Sequence, residues 1–381
     1  MKKFVIAPDS FKGTASASDI CEIGKRAILR IIPDAEISSL PIADGGEGTA
    51  DCFLFALGGK KIECEVSGPH FTKVTASYVI INDDCAIVEI ASAAGLPMVG
   101  KGNNPAKSTT FGVGELISDA LSRGVRKIVL ALGGSCTNDG ACGIAAALGA
   151  RFIDSDGEEF VPVGGSLGRI EKIDISTLQK KLDGVEVVAM CDIDNPLYGE
   201  RGAACIFAPQ KGADEACVRL LDNNLIAFAN AVRRELGADI ATLPGAGAAG
   251  GAGAGAVAFL GAKLCSGIET VLDLCGFETL AKDADLIITG EGRIDGQTTG
   301  GKAISGIASR AKALGVPVAV IAGDIGDNID PMYDMGVSLI LSTNRVAKSF
   351  SETKHRAKSD LELTFETLAR MIKTVEITNA K

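Results

Sequence analysis

The densest run of chemically capable side chains is residues 285–302, DLIITGEGRIDGQTTGGK. Its start, Leu286-Ile287-Ile288-Thr289, is apolar and β-branched, as suits a buried strand. Gly290 and Gly292 are expected to break that strand, and Glu291, Arg293 and Asp295 follow at once. The run closes on Gly300-Gly301-Lys302, with Ala303, Ile304 and Ile307 at helical spacing beyond it. A buried strand that empties into carboxylates, an arginine, glycines and a lysine has the pattern of an anion or metal–phosphate site. Ligands of open α/β sheets sit at the carboxyl ends of strands. Residues 296–302 also fit G-x-x-x-x-G-K. However, Ala303 stands where Ser or Thr would hold magnesium, and the glycines follow an acidic turn, so the run does not read as a P-loop.

Four more expected strands end in the same way. Residues 4–7 lead into Asp9, Ser10 and Lys12-Gly13, and residues 37–42 into Asp44-Gly45-Gly46-Glu47-Gly48-Thr49. Residues 127–132 lead into Gly133-Gly134-Ser135 and then Thr137-Asn138-Asp139-Gly140, and residues 185–190 into Asp192, Asp194 and Asn195. Hard carboxylate oxygens suit magnesium, and glycines let backbone amides approach anionic oxygens. Lys12 and Arg293 could neutralise a transferring phosphoryl group or a substrate carboxylate. One such cluster is more often an ordinary turn, and Thr137 or Asn138 could equally cap a helix. Five ends with a lysine and an arginine among them point to a site without naming its reaction.

Other motifs are weaker. Residues 245–250, GAGAAG, fit G-x-G-x-x-G but follow Leu243-Pro244 and not a strand. They read as a glycine-rich turn opening a packed helix over 257–264. Pro209-Gln210-Lys211-Gly212 reads as a solvated turn. Ser10 has no histidine near it in sequence, so a Ser/His nucleophile pair has no support.

The elements that would position these residues start with β, α, β, α: a strand over 4–7, a helix over 16–32, a strand over 37–42 and a helix over 49–57. Ser16 with Asp19 forms a capping-box pattern at the first helix, and Pro33 ends it. From about Lys61 the pattern changes to closely spaced strands over 62–66, 73–81 and 85–90, which suggests a mixed sheet. Val113, Leu116, Ile117, Ala120 and Leu121 mark a helix, and 215–236 reads as a long one. After Leu264 the alternating pattern returns, with strands over 286–289, 318–322 and 338–341 and a last helix over 359–372. The expected architecture is α/β. A discontinuous Rossmann-like parallel-sheet domain, from residues 1–62 and 264–381, carries an inserted α/β domain with a mixed sheet, residues 63–263. The ligand site is expected in the cleft between them.

Composition narrows the function classes. The chain has 381 residues, is 46% hydrophobic and carries a net charge of −10, which disfavours nucleic acid and anionic membranes as partners. It has no Trp and only 4% aromatic residues, so base-stacking platforms for nucleic acid are not expected. It has 47 glycines, and the excess over the average of about 7% sits in turns after strands and in one Gly/Ala tract, which points to close backbone approaches. Eleven cysteines form no C-x-x-C pair, and with only two histidines a zinc site is not expected. An odd cysteine count fits a reducing cytosol, the N-terminus reads as a first strand and not a signal peptide, and no apolar run is long enough to span a bilayer.

Seven blocks together resemble the type I family of bacterial glycerate kinases. They are APDSFKG (7–13), PIADGGEGT (41–49), ALGGSCTNDG (131–140), CDIDNPLYG (191–199), FAPQKGA (207–213), PGAGAAGGAGAG (244–255) and ITGEGRIDGQT (288–298). The chain departs from the pattern mildly, at Ala94, Cys136 and Ala141-Cys142. The resemblance implies transfer of the γ-phosphoryl group of ATP to D-glycerate with Mg2+, giving 2-phosphoglycerate or 3-phosphoglycerate, in a two-domain cytoplasmic enzyme, and leaves a homodimer open. Residue chemistry then suggests roles. Asp192 would accept or orient the glycerate hydroxyl proton, and Lys12 and Arg293 would clamp phosphate or carboxylate. Asp44, Glu291 and Asp295 would hold magnesium. Ser10, Gly133, Gly134, Ser135, Asn138, Gly290 and Gly292 would line the substrate and ATP sites. Three alternatives stay open: a kinase for a related hydroxy acid, an NAD-dependent hydroxy-acid oxidoreductase resting on GAGAAG, and a non-catalytic hydroxy-acid sensor.

Overall fold

A computed structural model of the chain describes residues 1–100, 102–296 and 302–379. The Gly300-Gly301 pair and most of the G-x-x-x-x-G-K run lie outside the described residues. Strands follow in chain order as β1 (Lys3–Pro8), β2 (Glu36–Ser39), β3 (Lys60–Ser67), β4 (Lys73–Ile81) and β5 (Cys85–Glu89). Next come β6 (Lys127–Ala131), β7 (Arg151–Ile153), β8 (Glu159–Phe160), β9 (Lys172–Asp174) and β10 (Glu186–Met190). The last are β11 (Lys263–Cys265), β12 (Leu286–Ile294), β13 (Val318–Ile325) and β14 (Val337–Ser342).

Both chain ends build one unit, Met1–Ala43 with Ile268–Lys381. Its sheet runs β14-β13-β12-β1-β2, and every pairing is parallel. A parallel sheet needs helices on its faces, and the capped helix Ala17–Ile31 supplies one. Ser16 accepts from the Asp19 amide and Asp19 accepts from the Ser16 amide, the capping box expected from the sequence. The helix's buried face, Ile20, Ile23, Ala27 and Ile28, joins Leu361, Phe365 and Leu368 of the last helix in one core. Gly24 permits the contact, since a Cβ there would lie 2.7 Å from the Phe365 ring.

The second unit, Asp44–Gly267, holds a six-stranded sheet in the order β11-β10-β6-β5-β4-β3. Strands β11, β10, β6 and β5 are parallel, while β4 and β3 are antiparallel. This is the mixed sheet that closely spaced strands led us to expect. The first boundary falls at Ala43, where the sequence reading placed it at residue 62, because the helix Thr49–Leu57 packs on β4 and β5. A small antiparallel sheet, β8-β7-β9, was not anticipated, since its strands are two or three residues long and rich in charge.

Two expectations change. The helix placed over 257–264 is Ala248–Leu260, and Leu264 belongs to strand β11. Ala249, Gly250 and Gly251 have φ of 52°, 69° and 88°, and a Cβ on Gly250 would lie 2.1 Å from the Thr137 carbonyl oxygen. The GAGAAG run is therefore a packing device against the 137–140 loop, without the strand that a dinucleotide motif needs. The other change is at β12, which passes through Gly290 and Gly292 to Ile294. A Cβ on Gly290 would lie 1.9 Å from the Ile321 carbonyl oxygen, so glycine is what lets β13 pair there. No helix among the described residues is long and apolar enough to cross a membrane.

Candidate functional site

In the first unit the carboxyl ends of β1 and β12 meet. Pro8 pairs with Gly290, and the Asp9 amide donates to the Gly290 carbonyl at 2.8 Å. A cavity of about 630 Å³ opens beyond them, in the size range of small-molecule sites. Asp9, Ser10, Lys12, Glu291, Gly292 and Arg293 all line it. The parallel register thus brings together six residues from two distant segments. Lys348 and Lys354 add two cations from the C-terminal region that sequence reading did not nominate. No local motif marks them, because they reach the cavity only through the tertiary fold.

Glu291 is a strongly perturbed carboxyl of this cavity. Burial pushes it up to about 7, Asp9 and Asp295 add to the rise, and Lys12 opposes it. Its Oε1 is buried without a hydrogen-bond partner among the described residues. Arg293 lies 3.5 Å from Asp295 Oδ2 and 3.7 Å from Asp324 Oδ2 and is 65% exposed, so these pairs hold it loosely. Gly290 does not serve as an open amide donor, being an interior position of β12 between β1 and β13. Gly292 faces the Phe11 backbone, where a Cβ would sit at 3.4 Å.

In the second unit the ends of β6, β10 and β11 and the loop from Asp44 come together. The Gly133 amide donates to the Gly45 carbonyl at 2.8 Å, and a Cβ on Gly133 would lie 2.6 Å from the Gly46 Cα. Gly133 is therefore a packing glycine whose amide is already used. Gly134 is exposed with φ +76°, and Ser135 lies buried below it. Asp192 Oδ1 accepts from Ser266 Oγ at 2.9 Å and from the Gly267 amide at 3.1 Å. A Cβ on Gly267 would touch both Asp192 Oδ2, at 2.6 Å, and the Asp44 carbonyl carbon, at 2.7 Å, so Asp44 and Asp192 flank one point. The exposed Asp44 caps its own turn by accepting from the Gly46 amide at 3.0 Å.

Asn138 lies deeper than expected. It is fully buried, with neither side-chain amide atom hydrogen-bonded to a described residue, one residue before Asp139. Asp139 accepts from the Thr110 amide and hydroxyl at 2.8 and 2.9 Å and so supports the start of the helix Phe111–Ser122. Asn138 is thus part of the interior behind the Gly134 turn.

Sequence reading missed three residues here. Glu89, at the end of β5, accepts from the Ala50 amide at 2.7 Å and anchors the loop that carries Asp44; burial raises its pKa. Ser266 fixes Asp192. Lys211 is buried, not solvated. None of the three lies near its partner in sequence. Among the described residues no group of three or more His, Cys, Asp or Glu is placed to hold a metal. Of the three residues expected to bind magnesium, Glu291 and Asp295 belong to the first unit and Asp44 to the second.

Comparison with known proteins follows the same outline. The model of the glycerate kinase family matches residues 4–373. A glycerate kinase of Halalkalibacterium halodurans is 44% identical over 95% of this chain and 96% of its own. A glycerate 2-kinase of Escherichia coli K12 is 44% identical over 89% of this chain and 90% of its own. A solved structure of a protein proposed to be glycerate kinase 2, from Salmonella typhimurium LT2, superposes with a TM-score of 0.89 at 40% identity. It covers 98% of this chain and 99% of its own.

Proposed function

The chain belongs to the glycerate kinase family and phosphorylates glycerate with ATP, and we propose that its acceptor is the 2-hydroxyl of D-glycerate. The E. coli relative named glycerate 2-kinase supports that position of transfer. The observation that carries the proposed chemistry is the fixed carboxylate of Asp192. Two donors on Oδ1 set its orientation, as a group that orients or deprotonates an alcohol must be set. Asp44 beside it is assigned to the same acceptor side.

The cavity of the first unit is assigned to the nucleotide. Four cations line it, Lys12, Arg293, Lys348 and Lys354, and triphosphate is the most highly charged part of either substrate. Ser10 and Gly292 line the same wall. The donor set fits magnesium: Glu291 Oε1 is a buried hard oxygen with no hydrogen-bond partner among the described residues, and Asp295 acts on it electrostatically. Glu291 and Asp295 would hold the ion, which when bound neutralises charge on the phosphate oxygens. Lys12 and Arg293 then orient the transferring group and balance its charge. Phosphoryl transfer asks for positioning and charge compensation more than covalent chemistry, and these side chains supply both.

We assign the enzyme to the cytoplasm, a reducing compartment in which its eleven free cysteines stay thiols. The assay is ADP release from ATP, magnesium and D-glycerate, with phosphorus NMR of the product to identify the esterified hydroxyl. Asp192→Asn is expected to abolish turnover while ATP binding is kept. Near-normal kcat in that variant would remove Asp192 from the mechanism, and a 3-phosphoglycerate product would overturn the assigned position.

A further inference from the structure

Lys211 is 4% exposed, in a turn whose sequence, Pro209-Gln210-Lys211-Gly212, reads as a solvated one. Its ammonium donates to Ser135 Oγ at 3.0 Å and to the Thr137 carbonyl at 2.8 Å. Its own carbonyl accepts from Asn103 Nδ2 at 2.8 Å, and the same amide group donates to the Cys136 carbonyl at 3.3 Å. The loop 135–137 is therefore clamped from below by one buried cation and one buried amide. No carboxylate forms an ion pair with Lys211 among the described residues. A buried charge without an ion-paired carboxylate is unusual, because desolvation opposes it.

What lies above the ammonium explains its position. The exposed Gly134 turn caps Ser135 at the carboxyl end of β6. Neighbouring backbone pins this turn: Leu96 N donates to the Gly134 carbonyl at 2.8 Å, and Cys136 N donates to the Ala94 carbonyl at 2.9 Å. These two bonds flank an antiparallel bridge between Gly95 and Ser135, and neither uses the Ser135 amide. Since Ser135 Oγ accepts from an ammonium, its own O–H is left to donate, and donation is strengthened by the bond it receives. An exposed glycine turn, a hydroxyl forced into the donor role and a positive charge beneath make a receptor for an anionic oxygen.

We propose that Lys211 is a positioning residue that holds Ser135 and the 133–135 turn as the receptor for an anionic oxygen of a substrate, a carboxylate or a phosphate. The inference rests on the kinase reading above and adds a subsite to it. Burial lowers the Lys211 pKa to about 8, and the ionisable groups acting on it are the Cys136 thiol, pushed by burial to about 11, and the Asp139 carboxyl, raised by burial. The ammonium, and with it the subsite, should fade as pH rises through that value.

The test is steady-state kinetics of Lys211→Met, Ser135→Ala and the double variant, with KM for D-glycerate and for ATP measured separately from pH 6.5 to 9.5. One KM should rise about tenfold in each single variant, as for loss of one charge-assisted hydrogen bond, with kcat changed less. The glycerate KM moves if the anion is the carboxylate, the ATP KM if it is a phosphate. The double variant should be little worse than Ser135→Ala, because Lys211 acts through Ser135. In the wild type that KM should climb above pH 8, and in Lys211→Met the climb should vanish. Inorganic phosphate binding by calorimetry gives a readout independent of turnover, with Ser135→Ala as the second variant should Lys211→Met fail to fold. Two unchanged and pH-independent KM values would overturn the inference, as would additive effects accompanied only by a lower melting temperature. An inactive wild type would sink the kinase reading, and phosphate binding lost in the variants would still decide on the subsite.

Discussion

The end of β12 in the first unit and the end of β6 in the second are both carboxyl ends of parallel strands, yet they bury opposite charges. At β12 a carboxyl, Glu291, sits among other acids and is pushed up to about 7. At β6 an ammonium, Lys211, sits under a glycine turn and is pushed down to about 8. Burial is the first cause in both cases, and it moves an acid and a base toward neutrality from opposite sides. Each group therefore changes charge readily when a ligand of the complementary sign arrives, as expected of functional positions. The Glu291 end suits a cation and the Lys211 end an anion, which is why they are assigned different ligands.

The largest expected break in this comparison is Glu291→Gln. It keeps the size of the side chain and removes its charge, so kcat/KM should fall by about 10²–10³, with much of the loss regained at raised magnesium. Steady-state rates over a magnesium series check this. An unchanged magnesium dependence would leave Glu291 as a buried structural acid and end the symmetry with Lys211.

Next in size is the linkage of Lys211 to stability. A lysine lowered from 10.5 to about 8 binds fewer protons folded than unfolded between those values, so its contribution to stability rises with pH across that window. Below pH 8 the charged, buried form costs on the order of 3 kcal/mol. Denaturant unfolding of wild type and Lys211→Met should show the wild type gaining on the variant from pH 8 to 10, while its anion affinity weakens over the same range. Stability and affinity falling together would mean that the fold opens, and the proposed poise would be lost.

How legible these ends were in sequence differed in the same way. The elements came through well where one local pattern decides them. The helix Glu215–Leu236 keeps its expected bounds, and the Ser16–Asp19 box forms. Glu291, Arg293, Asp44 and Asp192 were visible because a strand ending in charge is a local signal. The extension of β12 was hidden because glycine usually breaks a strand, whereas here the backbone of β13 at Ile321 requires it. Lys211 was hidden because its partner Ser135 lies 76 residues away. Gly133 was nominated as an amide donor, yet it is a packing position, since only the fold places Gly45 against it.

That difference can be sharpened with glycines. Gly290→Ala would force a methyl to 1.9 Å from the Ile321 carbonyl oxygen, and Gly133→Ala would force one to 2.6 Å from the Gly46 Cα. Both should destabilise by about 1–3 kcal/mol, the range for overpacking, with Gly290 the worse because a strand backbone cannot yield as a loop can. Denaturation midpoints measure it. Equal losses would mean that the 44–46 loop is as rigid as the sheet.

The smallest expected effect on the fold separates binding from stability. Arg293 is mostly exposed and its two ion pairs are long, so Arg293→Ala should change the unfolding free energy by less than about 0.5 kcal/mol. If Arg293 serves the nucleotide, the same variant should raise the ATP KM about tenfold, the scale of one charged contact, and leave the glycerate KM alone. A glycerate-specific rise would instead move the carboxylate to the β12 end and leave the phosphate to Ser135, exchanging the ligands of the two strand ends.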